Sequence, residues 1–445
     1  MDHQQSEAIR PAWKDDTAGR GSRRWLIVAW FFLILLVVYI DRVNLAMAAP
    51  LILNEFNLSP SQLGLVMSGF TIGYTLLLFP GGFLVSYFSA RKSIAVILAL
   101  RSLMSVLTGY AWGYVSLVTI RIGFGLAEGP LLPAINATVN HWMLNREKAT
   151  AAALYITALP LGIIAGNIFC GYVLEAIGWR FVFFVFGAVG AVLGLLSWII
   201  VRDTPAEHPA ISLQELKLIE GDYHPPLTGS ASGSSFRQLM KDPWIWANAA
   251  YNFFYSFTFW ANLNWLPTYF VMARGASILK SGYLSSLPWL AGLFGLLILG
   301  ALSDRIGKKY RGNWMAACQF LSVPFTAYAV VTPSIVISLI CFSISLFFLL
   351  GSMSIGTALI WELFDRADVA KAYGLLAAWM TGAGILAPYL LGFILEKTHS
   401  FNMAYYIFSC CAFLAGCIAV VLHLRERQIR DIRRHFINAP DTALA

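Results

Sequence analysis

The sequence predicts an all-α polytopic membrane protein in which twelve transmembrane helices form two bundles of six. Three observations predict it. Only 12% of the 445 residues are charged and 58% are hydrophobic, where a soluble domain carries about 25% charged residues. Apolar blocks of about 20 residues, the length that crosses a hydrocarbon core of roughly 30 Å, recur along most of the chain. One long hydrophilic break, residues 202–242, divides these blocks six and six.

In chain order the spans fall near 25–48, 62–88, 93–111, 114–142, 149–173 and 178–201, then 243–271, 281–301, 313–331, 334–360, 371–394 and 402–424. Residues 1–24 are a polar, charged leader without a cleavage-site pattern, so a cytoplasmic tail is expected in place of a removable signal peptide. Residues 25–201 make the first bundle. The Gly/Ser content and charge of 202–242 mark a cytoplasmic linker. Residues 243–424 make the second bundle, and 425–445 a basic cytoplasmic tail.

The formal charge of +8 is a topology signal. With the N-terminus inside, roughly 24 of the 31 Lys and Arg fall in the tails and even-numbered connections, and about four (Arg180, Arg274, Lys280, Lys397) on the other side. That asymmetry predicts a multi-pass protein of the cell (inner) membrane with both termini cytoplasmic, and no nucleic-acid partner. The six cysteines lie within spans without metal-ligand spacing and read as packing.

The halves repeat. "GFLVSYFSARKS" follows the second span and "GALSDRIGKKYR" the eighth; aligning Gly82 with Gly300 pairs Ser86 with Asp304, Ser89 with Gly307 and Arg91 with Lys309. Two six-span repeats about a central loop are the organisation expected of an alternating-access carrier.

With "GALSDRIGKK" nearly intact, the chain resembles the major facilitator superfamily. The stretches "YIDRVNLAMAAPLILNEFNLSPSQLGLVMSGFTIGYTLLLFPGG", "RIGFGLAEGPLLPA" followed by "HWMLNREKATA", and "NWLPTYFVMARGASILKSGYLSSLPWLAG" are similar to its anion:cation symporter family. That family includes bacterial galactonate, glucarate and hexuronate carriers and the animal sialic-acid and vesicular glutamate carriers. The resemblance implies a latch at Asp304, Arg305 and Gly307, which loses its acid in the first half at Ser86.

Intramembrane charges are costly and mark ion or substrate paths. Asp41, Arg42, Arg101, Arg121 and Glu128 lie deep, all in the first half, whereas Glu362 and Asp365 stand at the end of the tenth span. A helix rise of about 1.5 Å per residue places Asp41 about 24 Å from the inner edge, Arg121 at comparable depth, and Glu128 about 10 Å deeper from the outer edge than Arg121. Two pairs are expected, Asp41–Arg121 and Arg42–Glu128. Arg101, about eight residues past the inner edge, is expected to snorkel inward. Carboxylates beside arginines suit proton coupling, because a carboxylate released from its partner takes up a proton. The resemblance implies the same: the acids at Asp41 and Glu128 carry the protons, and Arg42 engages the anionic substrate or couples it to them. Arg121 is expected to manage negative charge beside it.

Tyr74 is expected at the cavity, as the resemblance implies. Asn248, Asn252, Tyr255, Phe259 and Asn262 form one stripe along the polar, aromatic seventh span and predict a cavity wall; Asn136 is a weaker candidate. Thr157, Leu159 and Pro160 in span five, and Ala377, Ala378 and Trp379 in span eleven, stand where sugar-acid carriers tend to show more polar groups. Asn252, Tyr255 and Trp379 are therefore read as substrate contacts, and the substrate as a smaller or aromatic organic acid and not a hexonate. Gly123, Gly125, Gly129, Gly162, Gly166 and Gly171 permit close helix approach.

The expected function is proton-coupled import of a small organic anion by a monomer in the bilayer, without metal or cofactor. The nearest competitor is a proton-coupled exporter, but "GIIAGNIFCG" lacks the proline of the antiporter motif. No nucleotide loop, H-E-x-x-H or Cys/His cluster supports an enzyme, and the tails are short for a sensor.

Overall fold

The computed structural model describes residues 23–222, 236–306, 310–364 and 369–437. The sixth to twelfth spans and most of the linker are thereby covered together with the first five, while Gly307 and Asp365 lie outside the described residues.

The first half comprises α1 (Arg23–Glu55), α2 (Pro60–Phe88), α3 (Ala90–Gly109), α4 (Tyr114–Glu128) with α5 (Leu131–Trp142), α6 (Lys148–Ile156) with α7 (Ala158–Ile177), and α8 (Trp179–Ile200). The linker carries α9 (Leu213–Asp222) and α10 (Phe236–Leu239). The second half comprises α11 (Pro243–Met272), α12 (Ile278–Ile306), α13 (Arg311–Val331), α14 (Ile335–Leu363), α15 (Val369–Thr398) and α16 (Phe401–Ile437). Eleven of these units are long and apolar enough to cross a membrane; α11, with its asparagines, is the twelfth and most polar. The chain is thus an all-α polytopic membrane protein of two six-helix bundles.

Local chemistry sets the helix ends. Ser59 and Gln62 cap α2 reciprocally with Pro60 in its first turn, and Asp242 caps α11 through the Trp244 amide ahead of Pro243. The fourth span breaks after Glu128, because Gly129 is followed by Pro130, which has no amide hydrogen to continue the ladder.

Glycines let backbones meet. A Cβ on Gly125 would run into the Phe70 carbonyl, and one on Gly73 into that of Ile122, so α2 lies directly against α4. Gly162 meets Tyr39 and Leu36 of α1, and Gly166 meets Ile40. On the other side of the bundle, Gly187 and Gly190 of α8 press on Val106 and Ser102 of α3. Small residues in α4, α7 and α8 therefore seat α1, α2 and α3 at close range.

The internal repeat has a structural counterpart at the linker end. Asp203, just after α8, accepts from the Arg91 amide at the start of α3 at 2.8 Å. Glu426, late in α16, accepts from the Arg311 and Gly312 amides at the start of α13 at 3.4 and 3.2 Å. In each half an acid following the sixth span caps the third, where the exposed N–H groups and the helix dipole favour negative charge. The linker docks on the first half: Glu215 of α9 accepts from the Arg23 and Arg24 amides at the start of α1 (3.0 and 3.2 Å), and Arg24 also bonds Glu147 at 2.7 Å.

Hydrogen bonds between the halves cluster at the end away from the linker. Glu396 of α15 accepts from the Ser61 hydroxyl and amide, and the Tyr172 and Tyr283 hydroxyls pair. Glu175 accepts from the Leu279 amide, Ser286 donates to the Ile164 carbonyl, and Thr268 donates to Ala46. The molecule is closed at that end, with a cavity on the linker side of the closure.

Candidate functional site

Asp41 and Glu128 are each 2% exposed, and Arg101 and Arg121 each 3%. Arg101 holds the two acids together: its Nε donates to Glu128 at 2.9 Å, and its Nη2 donates to Asp41 at 2.9 Å and to the Val38 carbonyl at 3.0 Å. Arg42 donates to the other Glu128 oxygen, as expected. The Arg42 guanidinium also lies over the rings of Tyr39, Phe70 and Tyr74 at 4.8–5.5 Å, a cation–π cradle. Tyr74 therefore sits at the charge cluster, stacked on Phe70.

Two expectations are corrected. Asp41 is bonded to Arg101 in place of Arg121. Nor does Arg101 snorkel to the inner edge: α3 begins at Ala90 and not 93, so Arg101 lies eleven residues, about 16 Å, inside it. Arg121 is directed between the rings of Phe124 (5.4 Å) and Phe183 (5.1 Å), and its Nε and Nη2 are buried with no hydrogen-bond partner among the described residues. Its charge reaches Asp41 through space alone.

Asp41 has further support that sequence reasoning missed. Asn44, one turn on, donates to it at 2.5 Å, and the Cys170 thiol donates to the Asn44 oxygen at 2.7 Å. Asn44 stands at i+3 in the quoted D-R-V-N run, so its contact with Asp41 was legible from helix spacing. Cys170 comes from another span, and no local signal points to it.

In the second half, Tyr251, Asn252, Tyr255, Ser352, Thr357 and Met380 line part of a small cavity. Asn252 bonds back to Asn248 at 2.7 Å, and the Tyr255 hydroxyl is buried without a partner among the described residues. Asn248, Phe259 and Asn262 are buried along the same helix. Trp379 packs edge-on against Trp246 and Phe253 at 5.9 and 5.8 Å and is not part of the cavity lining. Asn136 accepts from Tyr155 at 2.5 Å, tying α5 to α6. Asp304 pairs with Arg311 of its own half at 2.8 Å; Arg305 is exposed, and Gly307 lies outside the described residues. No group of three His, Cys, Asp or Glu able to hold a metal occurs among the described residues.

The chemistry this arrangement supports is reversible charge pairing inside the first half. Two carboxylates share one clamp, and Arg42 is the most open of the three arginines.

The comparisons agree with the fold. The Major Facilitator Superfamily model matches residues 31–355. The chain is 31% identical over 395 residues to the probable sulfoacetate transporter SauU of Cupriavidus necator, covering 86% of this chain and 90% of that one. It is 29% identical to the hexuronate transporter of Bacillus subtilis (89% and 92% covered) and 29% to the probable galactarate/D-glucarate transporter GarP of Escherichia coli K12 (88% and 93%). Among solved structures, a bacterial homologue of the lysosomal transporter Spinster, inward-facing and unoccupied, superposes with a TM-score of 0.75 at 18% identity, covering 92% of this chain and 98% of that one. The chain belongs to the major facilitator superfamily, whose members are carriers and not enzymes.

Proposed function

We propose that this protein imports a small organic anion together with protons across the inner membrane by alternating access. The observation that carries the reading is the Asp41–Arg101–Glu128–Arg42 network: two buried carboxylates, from two helices of the first half, whose ionised forms depend on arginine partners. The relatives named above are a hexuronate transporter and probable transporters of sulfoacetate and of galactarate/D-glucarate, all organic anions.

In this reading Asp41 and Glu128 carry the protons, and Arg42, the most open arginine, receives the anion on its aromatic cradle. Anion binding competes with Glu128 for Arg42, and a carboxylate that loses its cation in a desolvated site takes up a proton. Anion and proton thereby load together. Tyr74 shapes the first-half wall, while Asn252 and Tyr255 contact the rest of the substrate. On the α15 side the lining is Leu376, Ala377 and Met380, without a hydroxyl-reading group, which favours a simpler or aromatic acid over a hexonate. Both termini are cytoplasmic, which makes the present arrangement inward-facing, and the Asp304–Arg305–Gly307 turn latches the opposite state.

The test is proton movement in proteoliposomes, read with a pH dye, as sugar acids, dicarboxylates and aromatic acids are added to wild type and to Asp41→Asn. One acid alkalinising the outside in wild type and not in the variant supports symport through Asp41. Labelled acid moving without protons in both discards proton coupling. Micromolar uptake of a hexonate with none of the simpler acids discards the substrate reading.

A further inference from the structure

The charge cluster does not balance. Three arginines, Arg42, Arg101 and Arg121, face two acids, Asp41 and Glu128, and all five are buried or nearly so. Asp41 and Glu128 are the buried acids at this depth among the described residues; Glu215 and Glu426 belong to the linker end, where they cap α1 and α13. The sum is 3 − 2 = +1 with both acids ionised. Each proton taken up by Asp41 or Glu128 removes a negative charge and increases the surplus.

The surplus can be placed on an atom group. Arg101 uses Nε and Nη2 on both acids and a carbonyl, and Arg42 is bonded to Glu128. Arg121 has two nitrogens without a hydrogen-bond partner among the described residues, at 3% exposure. A buried charge without a hydrogen-bonded counter-ion is costly, and in a medium of low dielectric its field extends over several ångströms, here to Asp41 and Glu128. Among the described residues the second-half cavity is lined by no acid: it offers the Tyr251, Tyr255, Ser352 and Thr357 hydroxyls and the Asn252 amide, groups that solvate an anionic group without neutralising it.

We infer that the transported anion is a dianion, and that Arg101 and Arg121 set this preference by giving the site one cation more than its acids. Once a proton has entered the cluster the charge is at least +2, which a dianion cancels and a monoanion leaves half uncancelled. Arg42 contacts one anionic group; the surplus on Arg101 and Arg121 acts on the total charge of the bound molecule through the low-dielectric wall. This specifies the substrate class of the site described under the proposed function and rests on that reading.

The test compares acids that differ by one charge and little in shape: succinate with succinamate, sulfoacetate with 2-hydroxyethanesulfonate, and phthalate with phthalamate. Half-saturation of uptake and of proton movement is measured in proteoliposomes of the full-length protein at pH 7.5. In wild type the dianion of each transported pair half-saturates at least about tenfold lower, a factor within reach of one added charge pair in a partly buried site. Arg121→Gln, which removes the surplus cation and no hydrogen bond between described residues, narrows that ratio below about threefold, and Arg101→Lys, which keeps the charge, preserves it. Equal handling of both members in wild type overturns the inference and leaves proton-coupled anion transport standing. So does a ratio that Arg121→Gln leaves unchanged. If none of the six acids moves with protons, both readings fall.

Discussion

At the residue scale the most consequential side chain is Arg101. It bonds two carboxylates from different helices and a carbonyl of α1, so its truncation strands two buried negative charges. Arg101→Ala is expected to cost about 3–5 kcal/mol, the range for breaking a buried ion pair from one side, read as a lowered thermal midpoint in detergent. Arg121 makes the opposite prediction. Because its Nε and Nη2 have no partner among the described residues, Arg121→Gln should unfold within about 1 kcal/mol of wild type, or above it. A loss as large as that of Arg101→Ala would mean that Arg121 is paired in the stable state. Asn44 and Cys170 are supporting residues: they orient Asp41 without facing the cavity.

At the element scale, the α2–α4 contact delivers Phe70 and Tyr74 to Arg42. A methyl group on Gly125 would collide with the Phe70 carbonyl, which is backbone and cannot rotate away. Gly125→Ala should therefore cost about 1–3 kcal/mol by overpacking and lower anion affinity by shifting the cradle. Gly113→Ala, with nothing within 4 Å of its added methyl, is the matched control, and similar uptake by the two variants would refute the argument. The linker makes a different prediction. His208 stacks edge-on against Trp142 at 5.5 Å. Burial first, then the charges of Arg202 and Arg23, hold its pKa below the usual 6.5, with Glu215 opposing. The folded state prefers the neutral ring. Its contribution to docking is complete above about pH 6.5 and is lost as the pH falls through the depressed folded value. Amide exchange across 205–222, corrected for intrinsic rates, should be slower at pH 7.5 than at pH 5.5; equal protection would discard His208 as a pH-sensitive contact.

At the scale of the whole molecule, the closure away from the linker must open for alternating access. A Cβ on Gly171 would lie 3.3 Å from the Cα of Leu279 in the other half, close to disulfide reach. Oxidised Gly171→Cys/Leu279→Cys should stop uptake and recover it on reduction, with each single variant active. Full uptake by the cross-linked protein would show that this end does not separate during transport.

The helices were legible in the sequence because bilayer thickness dictates their length. The spans read from hydropathy end within a few residues of the observed helices, except where a helix continues beyond the apolar core, as α1 does to Glu55 and α16 to Ile437. The six-and-six division followed from one polar break, and the approximate height of Asp41, Arg42 and Arg121 from helix rise, which converts residue number into height. Height does not specify azimuth. Asp41, Arg101 and Arg121 lie near enough in depth for either arginine to reach the acid, and the choice depends on which way α3 is turned. The contacts of Gly187 and Gly190 with α3 settle that, by pressing α8 onto the α3 face beside Arg101. Trp379 illustrates the same limit: its position along α15 matches the cavity, but its face meets Trp246 and Phe253. The sequence by itself determined the class of fold, the set of intramembrane charges and the excess of arginine over acid. Only the tertiary structure decided which arginine each acid holds and which is left over, because pairing depends on how helices distant in the chain are rotated against one another.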